Sequence, residues 1–118
     1  MSRMVAVGTD RLTQALAAAG FVPEVCAAPA QVSAALARLA RDTQVALVAC
    51  GESQADQATD AIQRFRDESA AMLVILPDTL GAKGRVGFEL VRQALEQAAG
   101  VDLLGRVAEG SQVMTSDK

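Results

Sequence analysis

The chain has 118 residues, 51% of them hydrophobic and 21% charged, with a net charge of −3. This length is near the commonest size of one domain and the apolar content is ample for one core, which argues against disorder and against two domains. An acidic balance without a Lys/Arg stripe, and aromatics limited to three Phe, argue against nucleic acid as a partner.

The first apolar run, Met4-Val5-Ala6-Val7, ends at Gly8 and reads as a buried strand. Thr9 or Asp10 is placed to cap a following helix, in which Leu12, Ala15, Leu16 and Ala19 recur at helical spacing. Gly20 ends that helix, because a left-handed position costs glycine no Cβ clash. Phe21 to Cys26 is the second strand. Pro23 lacks an N–H and assigns it to an edge or a strand start. A second helix is predicted over Pro29–Arg41, with Val32, Ala35, Leu36 and Leu39 as its apolar stripe.

Val45-Ala46-Leu47-Val48-Ala49-Cys50 is apolar throughout, as a central strand covered on both faces must be. Gly51-Glu52-Ser53 is read as a turn. One continuous helix is then expected over Asp56–Glu68, with Ala58, Ala61, Ile62 and Phe65 inward. Met72 to Leu76 is the fourth strand, stopped by Pro77. A glycine-containing loop over 77–87 leads to a helix over Val86–Ala99, with Phe88, Val91, Leu95 and Ala98 in register and Gly100 as its stop. Val101 to Leu104 is a short apolar end.

The βαβαβαβα order predicts an α/β fold: a small, doubly wound, four-stranded parallel sheet in the order 2-1-3-4, with a C-terminal helix after a glycine-containing loop. The organisation read from the sequence is a sheet domain over 1–77, a hinge loop and terminal helix of the same domain over 78–104, and a flexible tail over 105–118. The start of the chain carries one basic residue and no apolar h-region, and no stretch of roughly 18 apolar residues occurs, so neither a signal peptide nor a membrane span is expected.

Reactive chemistry finds little to work with. Histidine is absent, which removes the commonest general base and metal ligand. Cys26 and Cys50 lie in apolar segments without companion ligands, so they read as buried free thiols, and no metal site is expected. Gly81-Ala82-Lys83-Gly84-Arg85-Val86-Gly87 precedes a helix, but Lys83 comes before Gly84 and no Ser or Thr follows. Neither the phosphate-binding loop pattern nor the dinucleotide pattern is met, and no cofactor is expected. A phospho-receiver domain needs an acidic pair after strand one and an Asp after strand three. This chain has Gly8-Thr9-Asp10 and Cys50-Gly51-Glu52 there. Two alternatives stay open beside a binding role: a receiver-like or small-ligand-binding signalling module without the phosphorylation site, and an enzyme using an unrecognised thiol.

Three segments together resemble the F component, the small central-stalk protein, of V-type and A-type rotary ATPases. The first is Val5-Ala6-Val7-Gly8 through Thr13 to Ala19-Gly20. Thr9 stands there in place of the family's Asp, and Ala15-Leu16 in place of Gly-Phe. The second is Arg41-Asp42-Thr43-Gln44 running straight into Val45-Ala46-Leu47-Val48. The third is Leu73-Val74-Ile75-Leu76-Pro77-Asp78, the glycine-containing loop, then Val91-Arg92-Gln93-Ala94-Leu95 and Ala99-Gly100-Val101-Asp102-Leu103, the most specific of the three. The resemblance spans about residues 4–104. It implies a non-catalytic rotor component without a nucleotide site, cytoplasmic and peripheral to the membrane. Such a component docks on the coiled-coil rotor protein, the D component, and through it on the catalytic head, and modulates ATP hydrolysis or synthesis coupled to proton or sodium transport. The terminal helix is the expected contact: Phe88, Val91 and Leu95 as apolar anchors, flanked by Arg85, Arg92 and Glu96. From the pattern alone, the same apolar residues equally suit packing on the sheet.

Overall fold

A computed structural model describes residues 2–77, 80 and 88–99. Its elements in chain order are β1 (Arg3–Gly8), α1 (Asp10–Ala17), β2 (Val22–Val25), α2 (Pro29–Ala40), β3 (Val45–Gly51), α3 (Glu52–Asp56), α4 (Thr59–Glu68), β4 (Met72–Leu76) and α5 (Phe88–Ala99). The strands form one parallel sheet in the order β2-β1-β3-β4, as the alternating pattern predicted.

Local chemistry sets the boundaries. Thr9 is extended and its hydroxyl accepts the Leu12 N–H at 3.3 Å, so α1 starts at Asp10. Thr13, fully buried, satisfies its own hydroxyl by donating to the Asp10 carbonyl at 3.1 Å. Pro29 opens α2, where its missing N–H leaves no bond unmade. Ala28 has no side-chain acceptor to cap the helix. Gln31 reaches back instead, and its carbonyl accepts the N–H groups of Ala27 at 2.6 Å and Ala28 at 2.9 Å.

The edge position of β2 follows from Pro23. The Cys26 N–H donates to the Gly8 carbonyl at 2.9 Å, which turns Cys26 toward β1. Strand alternation then turns Glu24 the same way and directs Pro23 and Val25 outward. Pro23 therefore deletes a donor from the open side of the strand, which blunts that edge against pairing with another chain.

The core is two layers. On one face of the sheet, Ala6, Leu47, Ala49, Val74 and Leu76 meet Leu12, Leu16 and Phe21 from the α1 hairpin, together with Leu80 and Leu95. On the other, Val5, Val7, Val48, Cys50 and Leu73 meet Val32, Leu36 and Leu39 of α2 and Ile62 and Phe65 of α4. Leu47, Val48, Ala49 and Cys50 are inaccessible on both faces, as expected of the central strand.

One expectation is corrected. The segment after β3 is not a turn followed by one helix over Asp56–Glu68. Helix α3 begins at Glu52, directly on the end of the strand, and is separate from α4. The break is at Gln57 and Ala58. Their N–H groups close three-residue turns onto Gln54 and Ala55, and Ala58 has φ −140° and ψ 41°, outside the helical region. Ala55 and Ala58 both bury in the α2–α4 layer, so tertiary burial of two small side chains overrides the helical periodicity. The terminal helix is described over Phe88–Ala99, and the expected start at Val86 lies outside the described residues. The expected loop over 81–87, the Gly100 stop, the apolar end Val101–Leu104 and the tail over 105–118 lie outside the described residues.

Candidate functional site

In open parallel sheets, ligands bind where neighbouring strands send their connections to opposite faces. Here that point is the carboxyl ends of β1 and β3, which lead into α1 on one face and α3 on the other. The backbone is tightly drawn in at this point. A Cβ on Gly8 would lie 3.3 Å from Leu12 Cδ2, 3.4 Å from Gln54 Oε1 and 3.6 Å from the Gly51 nitrogen. Both helix starts carry their own carboxylate, Asp10 in α1 and Glu52 in α3. These acids complement the positive ends of the helix dipoles and oppose a phosphate or other anion. Gln54 Oε1 is buried here with no hydrogen-bond partner.

The two thiols lie in the same layer, beneath α2 and α4. Cys50 is inaccessible and its Sγ–H points to the Gly51 carbonyl at 3.6 Å. Cys26 is 3% exposed, and its thiol is pushed up first by burial and then by the nearby Glu24 carboxylate, with Arg38 opposing. Cys50 pairs with Val7 across β1, and Cys26 follows the Val25 that pairs with Gly8. They are two strands apart, about 10 Å at the usual strand spacing, beyond the reach of a disulfide. Both thiols are shielded from solvent, and burial with Glu24 disfavours the thiolate at Cys26, the opposite of what a nucleophilic thiol needs. Among the described residues, no cluster of His, Cys, Asp and Glu is arranged to hold a metal ion. Between α2 and α4 there is a dimple of about 10 Å³ lined by Ser33, Ala37, Ala61 and Arg64, room for a single water.

Helix α5 gives the surface that the sequence singled out. It packs on the α1 face of the sheet over β4. Leu95 is 0% exposed and shares its cluster with Val74, Leu76 and Leu80. Leu95 is thus a core residue of the docked helix, the packing alternative that the pattern left open, and a partner meets it only if the helix lifts from the sheet. Arg92 and Glu96 are half-exposed and pair with each other at 3.2 Å across one turn, while Gln93 and Gln97 are exposed. The structure therefore brings Arg92 and Glu96 together on an outward flank and sets Leu95 apart from them. Arg85 lies outside the described residues, as do the side chains of Phe88 and Val91.

The side on which α5 lies is a feature the sequence pattern does not encode. The β2–α2–β3 and β3–α3/α4–β4 connections run toward β4 with their helices on one face. The β1–α1–β2 connection runs the other way with its helix on the opposite face, so all three are right-handed. A fifth parallel strand outside β4 requires a helix on the α2–α4 face. Helix α5 is on the α1 face, so α5 is not itself a right-handed crossover from β4 to such a strand. Among the described residues, no helix is long and apolar enough to cross a membrane. No known protein family matches the chain, and no curated protein is recognisably similar to it.

Proposed function

We propose that this chain is a non-catalytic central-stalk component of the F type in a V-type or A-type rotary ATPase. In this reading it sits in the cytoplasm at the membrane periphery, docks on a coiled-coil rotor protein, and modulates ATP turnover coupled to proton or sodium transport. The observation that carries the reading is the four-stranded 2-1-3-4 sheet whose last helix packs on the α1 face, with Arg92, Gln93 and Glu96 on its outward flank. The resemblance over residues 4–104 implies the same architecture, and the third segment of that resemblance contains this helix. The surroundings of Cys26 and Cys50 also favour a binding role over thiol chemistry.

The test is co-expression of the tagged chain with a D-type coiled-coil rotor protein, followed by gel filtration. A stable complex is expected, weakened by Arg92→Glu and by Glu96→Arg while each variant keeps its fold. A chain that elutes alone at micromolar concentration with the rotor protein present overturns the proposal. Covalent labelling by acetyl phosphate would point instead to the signalling alternative.

A further inference from the structure

We draw no further inference here: the strongest candidate, the notch at the carboxyl ends of β1 and β3 where the buried Gln54 Oε1 lies beside Gly8 without a hydrogen-bond partner, is flanked by the carboxylate-bearing starts of α1 and α3, and nothing in the structure shows what would fill it.

Discussion

Gly20 carries a φ of 100°, and the entry of Phe21 into the core depends on it. The Gly20 N–H returns to the Ala17 carbonyl at 3.0 Å and the Phe21 N–H to the Leu16 carbonyl at 3.2 Å, closing the end of α1. Among the described residues, a Cβ at this position would meet only Met4 Cε, at 3.5 Å, an ordinary contact, so the constraint lies in the backbone. Gly20→Ala is expected to cost about 1–2 kcal/mol through backbone strain alone, read as a lower urea midpoint with an unchanged slope. Gly20→Asn should cost less, because Asn tolerates the left-handed region better. Asp42 tests electrostatics at the same scale. Its carboxylate accepts the Gln44 N–H at 2.9 Å and pairs with the Arg3 guanidinium. The Gln44 bond foremost holds its carboxyl below the usual carboxylate range, desolvation opposes it next, and Arg3 and then Arg38 add to the lowering. A lowered folded value gives stability that is present above the ordinary carboxylate pKa and lost as pH falls through the lowered one. Asp42→Asn keeps an acceptor for Gln44 and removes the charge. Its urea midpoint should fall slightly below the parent's at pH 7 and converge with it in acid. A gap that grows as pH falls would contradict this account.

Helix α5 and strand β3 differ in how their described side chains bury. Of the α5 side chains from Arg92 to Gln97, Leu95 alone is fully buried, whereas four consecutive residues of β3 are inaccessible. Burying one Leu stabilises by about 2 kcal/mol, so truncating Leu95 should loosen α5 locally before it reaches the central strand. Leu95→Ala is expected to speed amide exchange across residues 92–97 by more than tenfold while β3 amides keep their protection. Leu47→Ala should instead lower protection throughout, by the roughly 2–5 kcal/mol usual for a Leu truncated in a core. Equal losses in both regions for Leu95→Ala would show that α5 and the sheet unfold together. Much of this arrangement was legible from element chemistry: the all-apolar Val45–Cys50 reads as central, and Pro23 reads as an edge or a strand start. The break between α3 and α4 was hidden because Ala55 and Ala58 fit a helical stripe as well as they fit two separate burial points. Thr59 and Asp60, residue types that favour a helix start, were the available signal. The role of Leu95 was hidden for a related reason. An apolar stripe has the same spacing whether it faces a sheet or a partner, and only the position of α5 over Val74 and Leu76 decides.

For the whole molecule, the central question is whether its use lies in chemistry or in shape. Among the described residues, the sheet carries α2, α3 and α4 on one face and α1 with α5 on the other. The carboxyl edge between β1 and β3 is lined by glycine, two helix-start acids and a buried glutamine. The catalytic alternative left open by the sequence runs through sulfur, since histidine, the commonest general base, is absent. Burial removes solvent from both thiols, and for Cys26 the Glu24 carboxylate adds to the cost of forming a thiolate. In the native protein under mildly alkaline conditions, an aromatic disulfide reagent should therefore react with neither thiol over minutes. In denaturant both should react at once, which serves as the internal count. The two opening routes separate the sites. Cys26 follows the short edge strand β2, so slow native-state reaction should begin there, while Cys50 on β3 should wait for global unfolding. Fast native reaction at Cys50 would mean a thiolate is stabilised at the end of β3. That result would return the enzyme reading to first place, because neither packing nor partner binding requires such a group.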